Sequence, residues 1–269
     1  MKAEDDQISL QEVLMKTSYQ TQTTLHTDKL CENPLAFGSG FIVKYQNEQF
    51  FVTADHTLHL DDHNDEINKR TGKEYVVSIF NNYSPPDNLL STVLTPLDGF
   101  YYMEQFNIEK PDDADELVDI TLCKLKDINF QYPFLCDDVQ FAKQQKLTIS
   151  IECFNEPQTD KNYFVFGQIK TRIEGIRVER EKTMKECLKF NSKIGDYFLF
   201  NTLETITDLE EWEGLSGSPV ISEDGNCVGV LCSVNKNSRS IWILPIAKVK
   251  LLIEVAIQQE KLETIRNKK

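Results

Sequence analysis

The stretch GSGFIVKYQNEQFFVTADH, residues 38–56, decides how the rest of the chain is read. GFIVKY and QFFVTA are short runs rich in β-branched and aromatic residues, and Gln46-Asn47-Glu48 stands between them, so the pattern predicts a β-hairpin. Its second run ends in a small residue, an acid and a histidine, which puts His56 just past the end of a strand. Outward from this hairpin the same texture recurs. EYVVSIF, STVLT, DITLCKL, KLTISIECF, NYFVFGQIK and DYFLFNTL all read as strands, and SIWILPI ends the series. SPVIS and CVGVLCSV flank Glu223-Asp224-Gly225-Asn226, a second hairpin with suitable turn residues. Short strands at this spacing predict a barrel or sandwich, not an α/β sheet. Near the N-terminus SLQEVLMK allows a turn or two of helix and KTSYQTQTTL alternates like a strand. From Ile246 onward Val249, Leu252, Ile253, Ala256 and Ile257 recur at helical spacing, which predicts a terminal helix packed on the body.

The 269 residues carry 29 Lys+Arg against 43 Asp+Glu, a net charge of −14 that argues against nucleic acid or an anionic membrane as partner. An apolar share of 40% suffices for a packed core. No run of about 18 apolar residues exists, so no membrane span is expected. The start MKAEDDQISLQEV lacks an apolar signal-peptide core. The seven cysteines are odd in number and form no C-x-x-C, so they read as buried free thiols without a zinc site. Together these features predict a soluble, cytoplasmic protein.

Charge runs are read conservatively. His59–Glu66 and Glu109–Glu116 are expected as solvated acidic loops, and the basic stretch Lys170–Lys193 as a solvated loop or hairpin. His56, His59 and His63 with Asp61, Asp62 and Asp65 invite a metal site, but most fall in one polar loop, so a solvated loop is favoured.

Three segments carry chemistry. Val52-Thr53-Ala54-Asp55-His56 delivers a histidine after a strand, Val118-Asp119-Ile120-Thr121-Leu122 puts an aspartate at the head of an apolar strand, and Gly214-Leu215-Ser216-Gly217-Ser218-Pro219-Val220 sets a serine in a Gly-bracketed turn. Serine is a weak nucleophile that needs a base within hydrogen-bond reach. The base needs a carboxylate to fix its tautomer. Glycines beside the serine let backbone N–H groups approach a developing oxyanion. An α/β-hydrolase elbow would need G-x-S-x-G, but Ser218 stands at the last position and the chain order differs.

These residues resemble the trypsin-like (chymotrypsin-fold) serine peptidases, in particular the bacterial disulfide-free branch related to the high-temperature-requirement proteases. GSGFIV resembles that branch's G-S/T-G-F strand, VTADH its V-T-A-x-H, DITL its D-[IL]-A-[VL], GLSGSPV its G-x-S-G-[GS]-P-[VL] and ILPI its A-I-P-I. The resemblance implies an all-β fold of two antiparallel six-stranded barrels with a C-terminal α-helix. It divides the chain into an N-terminal extension (1–30), a peptidase domain (31–250, barrels at about 31–130 and 140–245) and the helix (246–269). It also implies a serine endopeptidase with Ser216 as nucleophile, His56 as base, Asp119 as orienting carboxylate and the N–H groups of Gly214 and Ser216 as oxyanion hole, without metal or cofactor. The resemblance further implies that Glu210, six residues before the nucleophile, lies at the floor of the first specificity pocket, where an acid would favour Lys or Arg, although a solvated acidic loop is the slightly favoured reading, and that Cys232, Ser233, Val234 and Asn235 form a wall that pairs with substrate. Asp55 replaces the usual small residue before the histidine, and Leu215 stands where zymogen-type members carry an aspartate. The expected partner is a protein or peptide substrate, with a regulatory protein as a second and a bacterial defence or stress module as the setting. The alternative is a catalytically silent scaffold of the same fold.

Overall fold

A computed structural model describes residues 9–29, 32–63, 70–83, 91–105, 116–125, 146–174 and 177–267. Ser9 starts helix α1 (Leu10–Thr17) by accepting the Glu12 N–H, and Leu14 and Met15 turn inward. The N-terminal half then holds β1 (Tyr19–Leu25), β2 (Ala36–Tyr45), β3 (Glu48–Thr53), β4 (Tyr75–Tyr83), β5 (Ser91–Pro96), β6 (Phe100–Gln105), β7 (Glu116–Leu125) and the short β8 (Ile149–Ser150). The expected hairpin is β2–β3, in register Tyr45↔Glu48, with Gln46 in the left-handed region at φ 57°. The strand order is β5-β4-β1-β2-β3-β7-β6, with β8 alongside β2 in parallel.

The C-terminal half is a closed barrel. Its strands are β9 (Tyr163–Glu174), β10 (Arg177–Ile194), β11 (Tyr197–Ile206), β12 (Pro219–Ser222), β13 (Cys227–Val234) and β14 (Ser238–Pro245), in the order β10-β11-β14-β13-β12-β9. The second predicted hairpin is β12–β13, with Gly225 at φ 80°. Helix α2 (Ile246–Arg266) follows directly.

The fold is therefore all-β, a chymotrypsin-like double barrel with a C-terminal α-helix. Its first half differs in detail from the six strands expected: among the described residues it is a curled sheet of eight. One reason is β1, which lies in the stretch expected as an extension yet bonds to both β2 and β4. The predicted strand KLTISIECF shortens to β8, because Ser150 accepts the Glu152 N–H and starts a 3-10 turn over Ile151–Cys153. The half-exposed β6 had no prediction. The basic stretch is the long β9–β10 hairpin. Of the cysteines, Cys123, Cys227 and Cys232 are buried, Cys153 and Cys187 partly so, and all five are free. Cys31, Cys136 and most of the acidic stretch before Glu116 lie outside the described residues. No helix among the described residues is long and apolar enough to cross a membrane.

Alternation along the strands builds two cores from one sheet. Phe41, Val43, Phe50, Val52, Val118, Ile120 and Leu122 face a cluster shared with Ile221, Val230 and Leu244 of the barrel and with Val249, Leu252, Ile253 and Ala256 of α2. Their neighbours Ile42, Phe51, Cys123 and Leu125 face Tyr19 and Ile79 inside the first half. Strands buried on both faces explain the near-continuous apolar runs in the sequence. The barrel encloses its own core around Phe200, Leu215, Val220 and Ile243. The two halves and α2 thus share a core, and the site sits on their seam.

Candidate active site

His56 rides a 3-10 turn, Asp55–Thr57, that leaves the end of β3. Thr57 Oγ1 lies 3.0 Å from Thr53 Oγ1 and donates to Ala54 O at 2.8 Å, and Thr23 Oγ1–H caps Thr57 O from β1, so the turn is pinned from two strands. Asp119 comes from β7 at a bulge, where the register jumps from Tyr102↔Thr121 to Met103↔Val118. A bulge adds a residue to one strand and re-aims its side chain. Asp119 accepts twice from His56. The backbone N–H reaches Oδ1 at 3.0 Å, and Nδ1 lies 3.0 and 2.9 Å from Oδ1 and Oδ2. This contact assigns the proton to Nδ1 and leaves the Nε2 lone pair outward.

Burial opposes the charge on His56. The Asp119 carboxylate and its hydrogen bond outweigh that effect, and Asp55 adds to it, so the imidazole holds its proton above the ordinary histidine range. Asp119 is likewise disfavoured by burial, yet the charge and hydrogen bond of His56, with His63 farther off, keep it below the ordinary carboxylate range.

Ser216 enters from the other half. The turn before β12 runs through Gly214 at φ 95° and Gly217 at φ 88°. A Cβ on Gly214 would lie 2.6 Å from Gln168 O, and one on Gly217 would collide with Ser39 O and Thr53 Oγ1. Both positions therefore need glycine for conformation and for space. Leu215 and Ser218 are fully buried while Ser216 is partly exposed, so Ser216 is the serine of the turn that faces out. Ser218 Oγ instead donates to Phe166 O at 3.3 Å. The buried Leu215 offers no partner for a charged amine.

Ser39 of β2 clamps this turn across the seam. Its N–H donates to Ser216 O at 2.8 Å and its Oγ–H to Gly214 O at 2.6 Å, while Thr53 Oγ1 donates to Ser39 O at 2.7 Å. Ser39 was not among the residues singled out as functional, although two flanking glycines marked close backbone approach. A second bulge lies at Cys232, between Leu231↔Ile243 and Ser233↔Trp242. Cys232 O accepts Ser216 Oγ–H at 3.4 Å, and Cys232 Sγ–H points to Asp119 O at 3.5 Å. Cys232, at the second bulge, thus touches both Ser216 and Asp119, the carboxylate that the first bulge turns to His56. Among the described residues, the N–H groups of Gly214 and Ser216 donate to no backbone acceptor.

The specificity residues divide. Cys232 is turned inward to Asp119, while Ser233 and Asn235 are exposed and Val234 partly so. Glu210 is exposed and lines a cleft with Phe37, Lys170, Arg172, Glu213 and Gly214; the lining of that cleft does not include Cys232–Asn235. The loop expected to be solvated differs: His59 and His63 are gathered on the fully buried Asp55, and Asp62 is buried beside Arg70. Both histidines are thereby committed to a carboxylate. Asp65 lies outside the described residues, and no metal-holding group occurs among the described ones.

No family model and no curated protein matches the chain. Solved structures do. The serine endoprotease of Yersinia pestis matches at 12% identity and TM-score 0.47, over 92% of this chain. This chain spans 65% of that protein's length. Neuropsin, a mouse serine protease, matches at 13% identity and TM-score 0.49 over 88% of this chain and 93% of its own. The MamO protease domain of Magnetospirillum magneticum matches at 11% identity and TM-score 0.43, over 89% and 97%.

Proposed function

We propose that the chain is a serine endopeptidase acting through Ser216, His56 and Asp119. The observation that carries this reading is the two-fold hold of Asp119 on His56 beside Cys232, whose carbonyl accepts from the partly exposed Ser216 on its glycine-bound turn. In the proposed reaction Ser216 Oγ rotates off Cys232 O and attacks the scissile carbonyl carbon, and its proton passes to His56 Nε2. Asp119 keeps the other ring proton in place and stabilises the imidazolium. The N–H groups of Gly214 and Ser216 stabilise the oxyanion, a contribution of about 3–4 kcal/mol per donor. His56 then gives its proton to the leaving amine, and water repeats the sequence on the acyl-enzyme.

The substrate in this reading is an extended peptide that adds to the edge of β13 at Ser233–Asn235. Glu210 and Glu213, with Lys170 and Arg172, flank its approach to Gly214. A role in limited proteolysis of one protein fits a narrow, charged approach. The buried Leu215 supports activity without N-terminal processing, since an unpaired charge driven there costs several kcal/mol.

The test is labelling of the full chain by a fluorophosphonate, with Ser216→Ala as control. Labelling that disappears in the variant is expected. A second reading, a silent scaffold, draws on the Ser216 hydroxyl resting on Cys232 O. A well-folded wild type that stays unlabelled favours the scaffold and removes the peptidase.

A further inference from the structure

The acid immediately before the histidine is used by no step above. Asp55 is fully buried. A carboxylate in such a place stays ionised only where its charge is answered. Three donors answer it: His59 Nδ1–H at 2.8 Å on Oδ1, and His63 Nε2–H at 2.6 Å and Arg70 Nη1–H at 2.5 Å on Oδ2. Burial opposes the charge, but these bonds and the nearby cations hold Asp55 far below the carboxylate range.

Arg70 extends the arrangement outward. Nη1 also reaches Asp62 at 3.2 Å, Nε reaches Glu104 of β6 at 3.2 Å, and the guanidinium lies 4.1 Å over the Tyr102 ring. Asp62 is fixed in turn by the Thr71 N–H and hydroxyl. The His63 ring stands edge-on to His56 with centroids 6.4 Å apart. Among the described residues, the groups that act on His56 are thus Asp119 from β7 and His63 and Asp55 from its own loop. Tyr197 of β11 and Cys232 of β13 reach the Asp119 backbone behind them.

Two consequences combine. The chain leaves Asp55, makes the His59–His63 loop and returns to the same carboxylate, so the turn bearing His56 cannot rotate without breaking three charged hydrogen bonds. A buried anion one residue from the imidazole, backed by a fixed guanidinium, also sets the local potential. We infer that Asp55 is a positioning residue for His56: anchored by His59, His63 and Arg70, it holds the turn that aims the imidazole and sets how readily that imidazole takes a proton. The inference rests on His56 being the base proposed above.

The experiment follows the His56 ring by NMR in the histidine-labelled full chain across pH, in wild type, Asp55→Asn and Arg70→Gln. Asparagine keeps the shape but removes the Asp55 anion that favours the charged imidazole, so the His56 midpoint falls. Glutamine at position 70 leaves Asp55 less compensated, so the midpoint rises. Opposite displacements are expected, together with phosphonylation of Ser216 by the fluorophosphonate, with loss of fluoride, that is about tenfold slower in Asp55→Asn at the same half-saturating concentration. Unmoved midpoints, displacement in the same direction in both variants, or wild-type phosphonylation in Asp55→Asn would overturn the inference. If Arg70→Gln does not fold, Asp55→Asn decides alone, a wild-type midpoint being the adverse result. A wild type inert to the probe removes the peptidase reading, while the titration still decides the role of Asp55.

Discussion

The two halves reach the site by different physics. The N-terminal sheet organises its contribution with buried charge. Among the described residues the buried carboxylates held below their ordinary range, Asp55, Asp62 and Asp119, all belong to it. The barrel organises its own with backbone shape: two glycines at positive φ, a buried Leu215 and a bulge at Cys232. In the proposed peptidase the side that would move protons is built from charges and the side that would supply the nucleophile from sterics, so the same small substitution has unlike effects in each.

Exchanging a carboxylate for its amide tests the charged side most severely. Asp119→Asn keeps the volume but no longer fixes the His56 tautomer, so acylation of Ser216 by an ester substrate should fall by roughly 10⁴-fold in the folded protein. Acylation within tenfold of wild type breaks the comparison at its strongest point.

Adding one methyl group tests the steric side. Gly217→Ala places a Cβ against Ser39 O at a backbone angle that side chains rarely adopt. Calorimetry should show a loss of about 3 kcal/mol, and the fluorophosphonate should label only weakly. An unchanged melting profile would mean that the turn yields, and the barrel's contribution would then not be rigid.

Acid should separate the halves more gently. A carboxylate whose folded pKa is depressed stabilises the fold above its unfolded value of about 4, and that stability is lost as pH falls toward the folded value. Asp55 and Asp119 therefore weaken the N-terminal half in acid. The raised His56 contributes in the opposite sense: its share is complete below about pH 6.5 and lost as pH rises through its folded pKa. Both tryptophans, Trp212 and Trp242, sit in the C-terminal half. Far-ultraviolet circular dichroism should begin to change at a higher pH than tryptophan fluorescence on acid titration. Coincident transitions would show that the two halves unfold as one.

Legibility in the sequence follows the same division. The barrel strands and both hairpins were readable because alternation and turn residues are local signals. So were the segments carrying His56, Asp119 and Ser216. The strand β1 was only half readable, since YQTQTTL buries Thr21, Gln22, Thr23 and Thr24 and shows no apolar face. The Asp55 cluster was not readable as a buried network. Its partners are spread from His59 to Arg70, and a stretch of histidines and acids looks the same whether solvated or folded around a carboxylate. The surroundings of Glu210 were unreadable for a similar reason: its neighbours in the cleft, Phe37, Lys170 and Arg172, lie far from it along the chain.

Ser39 gives the seam a further property. It belongs to one half, yet its N–H and hydroxyl hold the carbonyls on either side of Leu215 in the other. Slippage between the halves is therefore felt first at the Ser216 turn, before either sheet loses a strand. In the proposed peptidase the joint would act as a fuse, and inactivation by mild denaturant or pressure is expected as an early, reversible event ahead of the loss of secondary structure.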